Sequence, residues 1–403
     1  MRRFLLLALC VGCSASTASI DPLDWQKVTG SATDTGLANG GVLGLGAGGA
    51  FDQRANFTVD AFPDGNLIRM YYGGADSDQA DPGCGGINGV HWRIGVATST
   101  DGLNFTRVAG AQAKGSILEN GAAGDFDSFL TYRPNVLKDG TVYRMWYNGS
   151  TKPFNCPTGT LALDRRIGYA ESTDGVNFTK INTGPGPGGS VLPLGNPGAI
   201  DAQQVGYVWV LKDANDYKMY YSANDNQNFW RIGLATSKDA RTWTKVVGKQ
   251  NGGAVVDIGD LSTTTCSADA DCASLTKTPV CSTSVHLCTA PDHFCAYQPT
   301  VVKETASLYR MWYRGCQGPG NPNGPSLGSI QYAESNDGIT WVKVPQNGKP
   351  LNAALVAGPS GSFDSGGLTT PSVFFQNGAW NMYYAGFDVT GQYSAGLARA
   401  TGQ

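Results

Sequence analysis

Five aspartates recur at one position of a repeated pattern, and a cluster of carboxylates is the first chemistry that they suggest. Each stands seven residues before a Pro or Val of an apolar segment. Carboxylates gathered at one site could hold a sugar, move a proton or bind a cation. Alternatively, each aspartate caps its own loop by accepting backbone N–H bonds, which its presence in every copy favours. The five are Asp52, Asp127, Asp201, Asp292 and Asp364.

The residue directly before that Pro or Val is polar in every copy, and its type differs between the copies except for two threonines. A binding site that occurs once in the molecule should use residues that differ between copies. These positions are therefore predicted to line a funnel at the centre of the fold. They are Thr58, Arg133, Tyr207, Gln298 and Thr370.

Side chains near these positions are predicted to bind a substrate. Aromatic faces beside hydrogen-bonding groups suit the C–H faces and hydroxyls of carbohydrate. Packing against the next repeat is the alternative for the two tryptophans, and a structural role is favoured for the histidine. The predicted substrate-binding set is Arg54, Asn56, Trp92, Tyr132, Arg133, Tyr207, Trp230, His293, Gln298, Asp292 and Asp364.

The elements that must position these residues form a fivefold repeat. Each copy has a strand-like segment centred on Met, an apolar segment before it and another segment after it, such as "RIGVATS". Four copies then carry a turn such as "TDG", a strong hairpin signal, and a short aromatic strand. The Met-centred segments are "LIRMYYGG" (67–74), "VYRMWYNG" (142–149), "DYKMYYSA" (216–223), "LYRMWYRG" (308–315) and "AWNMYYAG" (379–386).

This repeat predicts an all-β fold, a five-bladed β-propeller with four antiparallel strands per blade. The last copy lacks a fourth strand, whereas "LDWQKV" (23–28) precedes the first copy. The N-terminal strand is therefore predicted to complete the last blade and close the ring, which would leave no blade face exposed. The single domain 21–403 would contain blades at about 50–110, 125–185, 199–250, 292–346 and 362–403 with 21–29.

Cysteine usage predicts an oxidised, exported chain. Eight cysteines remain after the leader, and four of them lie in an insertion at 263–291, before blade four, where three connectivities are open. Position pairs Cys84 with Cys156 and Cys295 with Cys316. No metal site or cofactor is predicted, although a structural calcium in the funnel is left open. The eight are Cys84, Cys156, Cys266, Cys272, Cys281, Cys288, Cys295 and Cys316.

The first 20 residues have the charge and apolar run of a secretory signal peptide. "CVGCS" leaves two alternatives, simple cleavage or a lipoprotein signal with lipidation at Cys13. The predicted location is secreted or attached to a bacterial cell envelope, with membrane contact only through a lipid anchor. A net charge of −3 without a basic patch excludes nucleic acid as a predicted partner. The oligomeric state stays open.

The stretch "YRMWYNG…RRIGYAESTDGVNFTK" resembles the repeats of the five-bladed propeller glycosidases, the arabinanase, β-xylosidase, invertase and levansucrase superfamily. That resemblance implies catalytic carboxylates around the funnel, with a base in an Asp-Pro pair and a Glu acid in the third blade. The matching positions here carry Arg133-Pro134, Gln298-Pro299 and Thr370-Pro371, and residues 201–250 contain no Glu. Catalysis would therefore use aspartates, predicted as Asp52, Asp127 and Asp201.

The leading hypothesis is an exported glycosidase-like propeller that binds a plant or microbial polysaccharide or oligosaccharide, with its hydrolysis by funnel carboxylates left open. The alternative is a non-catalytic propeller at the cell surface that binds carbohydrate or protein.

Overall fold

The structure is a computed structural model that describes residues 24–30, 40–81, 84, 89–153, 163–272, 274–275, 280–282, 286–316, 328–346 and 349–401. These residues form an all-β fold, as predicted, with short 3₁₀ turns as their helical segments. None of the helices among them has the length and apolar character needed to cross a membrane. The 3₁₀ turns are Ala113–Gly115, Pro187–Gly189, Asn251–Gly253, Asp269–Cys272 and Pro350–Asn352.

Most strands belong to five units of four antiparallel strands, and four of these units follow sequential order. Single parallel pairs, Trp92 with Leu130 and Trp230 with Cys295, join units one and two, and units three and four, into eight-stranded sheets. The N-terminal strand is β1 (Gln26–Val28). Unit one contains β2 (Ala55–Asp64), β3 (Leu67–Gln79), β4 (Val90–Ser99) and β5 (Thr106–Val108). Unit two contains β6 (Leu130–Asp139), β7 (Val142–Ser150), β8 (Arg166–Ser172) and β9 (Thr179–Lys180). Unit three contains β10 (Gln204–Asp213), β11 (Asp216–Asn224), β12 (Trp230–Ser237) and β13 (Thr244–Val246).

The next three strands form a separate sheet, the Cys-rich module (261–289), and the remaining strands complete units four and five. The module contains β14 (Leu261–Thr265), β15 (Val280–Ser282) and β16 (Leu287–Thr289). Unit four contains β17 (Cys295–Thr305), β18 (Leu308–Cys316), β19 (Ser329–Ser335) and β20 (Trp341–Lys343). Unit five contains β21 (Gly367–Gln376), β22 (Ala379–Phe387) and β23 (Tyr393–Thr401), with β1 as its fourth strand.

The pairing of β1 with β23 confirms that the N-terminal strand completes the last unit. Lys27 lies opposite Ala398 in an antiparallel register. Next to this pair, the buried ring of Trp25 packs edge-on against Trp312 of unit four, with 5.8 Å between centroids. Two ends of the chain that are remote in sequence thus share one four-stranded sheet.

Neighbouring units pack through one recurring aromatic contact. An aromatic residue of each second strand meets an aromatic residue at the start of, or directly before, the fourth strand of the next unit, with ring centroids 5.7 to 6.0 Å apart. The same contact joins unit five back to unit one. The pairs are Tyr71–Phe178, Trp146–Trp243, Tyr220–Trp341, Trp312–Trp25 and Tyr383–Phe105.

Aspartates also fix the tight turns that lead into the fourth strands. In unit two, Asp174 accepts backbone N–H bonds from Val176 and Asn177, both at 2.8 Å. These bonds hold the pKa of the Asp174 carboxyl well below its usual range. Units one, three and four repeat the turn with Asp101, Asp239 and Asp337. The sequence contains 28 Asp and four Glu, and these turns account for four of the aspartates.

Disulfides are present, as the cysteine count indicated. Within the Cys-rich module, Cys266 bonds Cys281 and Cys272 bonds Cys288, which selects one of the three open connectivities. In unit four, the predicted Cys295–Cys316 bond joins β17 to β18. Cys84 is disulfide-bonded, and its expected partner Cys156 lies outside the described residues.

Candidate functional site

The five recurrent aspartates each hold their own unit together. In unit one, Asp52 accepts a hydrogen bond from the Tyr72 hydroxyl (3.0 Å) and an ion pair from Arg107 (2.7 Å). The tyrosine belongs to the second strand and the cation to the fourth. In the other units the cation is Lys, at 2.5 to 2.6 Å. The corresponding groups are Asp127–Tyr147–Lys180, Asp201–Tyr221–Lys245, Asp292–Tyr313–Lys343 and Asp364–Tyr384–Lys27.

Because all the partners of each aspartate belong to one unit, these bonds do not bring Asp52, Asp127 and Asp201 into one cluster. Each carboxylate is buried and carries a Lys or Arg within ion-pairing distance. The repeated arrangement indicates a structural role, as the alternative held, but the partners of the carboxylates are a Tyr hydroxyl and a Lys or Arg side chain where backbone N–H groups were expected. Catalysis by these three residues stays a prediction.

The five polar positions predicted to line a funnel do share one backbone geometry and one cavity. Each lies in a first strand at a break in the strand register, and each has a positive φ, between 44° and 65°. Such a backbone is strained for a residue with a side chain, and strain of this kind clusters at functional sites. These axial residues are Thr58, Arg133, Tyr207, Gln298 and Thr370.

The first strands of all five units meet around this axial cavity, which measures about 30 Å³. Besides the axial residues, its walls contain the prolines that follow three of them and the carboxyl of Asp60. A volume of this size accommodates about two water molecules or one small polar group. Gln298 is held in place, because its side-chain oxygen accepts bonds from the Thr370 N–H (2.9 Å) and the Thr369 hydroxyl.

Arg133 is the axial residue whose hydrogen-bonding groups are least satisfied. The residue is 4% exposed, and its guanidinium carbon lies 4.2 Å from the ring centroids of both Phe57 and Tyr207. Nε and Nη1 have no hydrogen-bond partner. Burial lowers the pKa of Arg133 to about 10, which leaves it charged at neutral pH. A buried cation between two rings thus offers two free N–H directions.

Two further arginines surround the same tyrosine. Arg165 lies 5.0 Å from the Tyr207 ring and donates to the Tyr132 hydroxyl and to Gln204 Oε1. Arg314 donates to the Tyr297 hydroxyl, and its Nε has no partner. Burial raises the pKa of the Tyr207 phenol, but the charges of Arg165, Arg133 and Arg314 outweigh it, so the net pKa is lowered. The centre is therefore strongly cationic.

Sequence reasoning missed Arg165 and Arg314 as parts of this centre. The signal lay in the repeat itself: unit two reads "RRIGYAES", and in place of its two Arg, units one and three have one Arg and units four and five have none. Unit four has Arg where its counterparts in "YYGG" and "WYNG" have Gly or Asn. Asp60 also occurs in one copy of the repeat only, because the equivalent positions of the other units carry other residues. Burial raises its pKa to about 7, against hydrogen bonds from Val136 N–H, Ser372 and Asn135.

The aromatic residues predicted to bind substrate are packed among one another in the centre. Trp92, Tyr132 and Trp230 are buried, and the Tyr207 ring contacts Tyr132 and Trp230 at 6.4 and 5.7 Å. Their positions match the packing alternative, since their ring faces are covered in this conformation. Carbohydrate binding through these rings stays a prediction.

The polar members of the predicted set lie in different environments. Asn56 is buried and donates to the backbone oxygens of Leu43 and Gly44. His293 is half-buried, with Nδ1 3.0 Å from the Gly259 oxygen. Arg54 is exposed at the start of β2. The structure thus brings Arg133, Tyr207 and Gln298 together at the axis and leaves Arg54 on the surface.

A second, larger cavity of about 510 Å³ borders unit four. In units one, two and five, a Phe before the aspartate stacks on the tyrosine that bonds that aspartate. In unit four, Pro291 takes the place of that Phe, and Asp292, Tyr313 and Lys343 line the cavity. Its volume lies within the range of ligand pockets. Of the five aspartates, Asp292 is therefore the one placed beside this cavity.

Comparison with known proteins extends the likeness from repeats to the whole fold. No protein-family model matches the chain. The uncharacterised protein Rv1502 of Mycobacterium tuberculosis is 29% identical over 213 residues, which cover 52% of this chain. The chain spans 61% of the length of that relative.

Solved structures of glycoside hydrolases share the fold over nearly the full chain. One glycoside hydrolase has a TM-score of 0.59 at 14% identity, covering 91% of this chain and 92% of that one. A family 117 glycoside hydrolase of Zobellia galactanivorans has 0.54 at 13% identity, covering 93% and 88%. A structure from the GH130 mannoside phosphorylase family has 0.53 at 16%, covering 87% and 85%. The chain thus has the fold of propeller-type glycoside hydrolases, as its repeats implied.

Proposed function

We propose that this chain is an exported, five-bladed propeller that binds carbohydrate at its axis without cleaving it. In this proposal the five units are blades, and β1 closes the ring by completing the fifth. The leader supports export, and lipidation at Cys13 would attach the chain to a cell envelope. The fold of the glycoside hydrolases supports a glycan as the ligand, by analogy of fold.

The observation that carries the proposal is the set of unsatisfied polar atoms at the axis. Thr58 Oγ1, Thr370 Oγ1 and two nitrogens of Arg133 are buried without a hydrogen-bond partner. Buried polar groups normally have partners, and an unpaired one costs about 1–3 kcal/mol. A ligand rich in hydroxyls supplies such partners.

Binding is favoured over hydrolysis because of the carboxyl count. Glycosidases generally flank the scissile bond with two carboxyls about 5–10 Å apart. Among the described residues that line the axial cavity, Asp60 is the only carboxyl. The recurrent aspartates are engaged in ion pairs within their own blades. A calcium ion at the axis is also disfavoured, because the guanidinium of Arg133 places positive charge there.

Hydrolysis remains the second candidate because of Asp60. With a pKa raised by burial to about 7, its carboxyl keeps a proton close to neutral pH, as a general acid requires. Turnover that is lost in Asp60→Asn would favour this candidate. Its missing element is a second carboxyl to act as base or nucleophile.

The test is a glycan panel followed by alanine substitution at the axis. Purified protein is screened on arabinan, xylan, fructan and mannan fragments for binding by calorimetry and for release of reducing ends. Thr58→Ala and Thr370→Ala should each weaken binding about 5-fold, since about 1 kcal/mol of hydrogen bonding is removed. Stability should be unchanged because neither hydroxyl has a protein partner.

Thr300→Ala is the matched control. Thr300 lies on β17, two residues after the axial Gln298. Its hydroxyl accepts a hydrogen bond from the Val373 N–H at 3.3 Å. This variant should lose stability and keep its affinity. Turnover by the wild type, or equal affinity of all the variants for a bound glycan, would contradict the proposal.

A further inference from the structure

We propose that the three arginines around Tyr207 form a binding site for one oxyanion, carried by an acidic sugar. The inference rests on the proposed function and specifies the chemical class of the glycan. Arg133, Arg165 and Arg314 are 4%, 3% and 2% exposed; the first two belong to unit two and the third to unit four. Arg133 and Arg165 lie over the Tyr207 ring, and Arg314 lies over the ring of Tyr297, which contacts Tyr207.

The other buried arginines provide an internal comparison. Arg93 bridges Asp76 and Glu119, with N···O distances of 2.5 and 2.6 Å. Arg231 bridges Asp225 and Asp257. Arg310 bridges Glu304 and Glu334. Where this fold buries an arginine away from the axis, two carboxylates therefore neutralise it.

The three arginines around Tyr207 lack carboxylate partners. Within the described chain, Arg133, Arg165 and Arg314 have no carboxylate at ion-pairing distance; hydroxyls, an amide oxygen and aromatic rings surround them. Cation–π contacts offset only part of the cost of withdrawing an unpaired charge from water. Three such charges around one tyrosine therefore favour binding of a negative charge from outside the chain.

The geometry of the free donors indicates an oxyanion. Nε and Nη1 of Arg133 and Nε of Arg314 are the donors without partners, and guanidinium groups match the planar fork of a carboxylate or the edge of a sulfate. Arg133 lines the axial cavity of about 30 Å³, which suits one such group, not a whole sugar ring. Arg165 and Arg314 do not line this cavity and would add positive charge near it. A uronic-acid carboxylate or a sulfate ester would enter while the ring stays outside.

The experiment measures thermal melting and calorimetric binding with four probes at matched ionic strength. These are sodium glucuronate, sodium sulfate, sodium phosphate and glucose, with sodium chloride as reference. Glucuronate should raise the melting temperature in proportion to the logarithm of its concentration, and glucose should not. Sulfate also stabilises proteins in general, so each shift is compared between variants.

Arg133→Met removes the least satisfied guanidinium, and Arg241→Gln is its matched control on the outer rim, where Arg241 pairs with Glu171. We expect Arg133→Met to bind glucuronate about tenfold more weakly or worse and to melt no lower than wild type in chloride, because an unpaired buried charge is gone. Arg241→Gln should keep the full glucuronate response.

The outcomes separate the two proposals. Equal shifts in wild type and Arg133→Met, or a lower melting temperature of Arg133→Met in chloride, would overturn the oxyanion site. Neutral glycans that bind while no oxyanion does would overturn it too, yet leave carbohydrate binding intact. Sulfate or phosphate binding without glucuronate or any glycan would keep the cationic site but refute its carbohydrate ligand.

Discussion

At the scale of the residue, the same side-chain type has opposite roles according to its neighbours. Asp52 and its four counterparts are neutralised inside their units, whereas Asp60 faces the axis with hydrogen bonds but no cation. Similarly, Arg93 lies between two carboxylates, and Arg133 lies between two rings. A residue type that is the same in every unit marks a structural position. A residue type that varies between the units marks an axial position.

Asp60 should make stability fall as pH rises. Burial raises its pKa to about 7 from an ordinary value of 3.8, so between these values the folded state holds a proton that the unfolded chain has lost. Stability therefore decreases through this window, by up to about 4 kcal/mol at 1.36 kcal/mol per unit. Asp60→Asn should remove this decrease. Urea unfolding of both proteins at pH 5 and pH 8 measures it.

Asp216→Asn is the control for the effect of removing an aspartate. Asp216 is exposed and pairs with Lys238 at the surface. This variant should keep the wild-type difference between the two pH values. If Asp60→Asn kept that difference as well, the axial carboxyl would not be the group that titrates.

At the scale of the element, side-chain contacts as well as backbone pairing with β23 attach β1 to unit five. Lys27 points from β1 to Asp364 at 2.5 Å, in the place that Lys180 and Lys245 occupy in their own units. Trp25 fills the aromatic position of a fourth strand. The N-terminal segment thus carries both side chains that every other fourth strand provides.

Lys27→Met should loosen this attachment by about 2 kcal/mol, because Asp364 stays buried and keeps only hydroxyl partners. Urea unfolding at neutral pH measures the loss. Lys238→Met is the matched control, since the Lys238 side chain is 81% exposed in its pair with Asp216; such pairs contribute about 0–1 kcal/mol. Equal stability of the two variants would show that the β1 ion pair contributes little.

At the scale of the whole molecule, the Cys-rich module is an appendage to the five units. Its three strands form their own sheet, and its core consists of four disulfide cysteines with Leu275. The sulfurs of Cys266, Cys272 and Cys288 lie within 4.8 Å of one another, but disulfide bonding leaves no thiolate for a metal. The module begins and ends side by side, with Leu261 paired to Thr289.

Replacing residues 262–288 by an Asn-Gly turn should therefore leave the five units folded. Two-residue turns of this type join paired antiparallel strands without strain. We expect a melting temperature within about 3 °C of wild type by calorimetry, since about 1 kcal/mol corresponds to a few degrees. Cys295→Ala with Cys316→Ala provides the contrast, because that disulfide lies inside unit four and its loss should cost about 3 kcal/mol. A module deletion as damaging as that variant would refute independence.

Much of this architecture was predictable from local sequence. Short sequence patterns decide local structure. The Met-centred strands and the Asp turns recur as such patterns, and the last copy lacks the pattern of a fourth strand. The pairing of β1 with β23 followed because a sheet edge without its partner would be exposed. The partners of the recurrent aspartates did not follow, since Tyr72 and Arg107 lie 20 and 55 residues from Asp52.

The sequence by itself determined the all-β repeat, the partner of the N-terminal strand and the oxidised cysteines, because each depends on periodicity or on counting. Only the tertiary structure decided which disulfides form in the module, that the recurrent aspartates are neutralised within their units, and that Arg133, Arg165 and Arg314 lie around Tyr207. Burial and net charge at one point depend on residues from several units. No local sequence pattern indicates the net charge at the centre, because that charge arises only when the first strands surround a common axis.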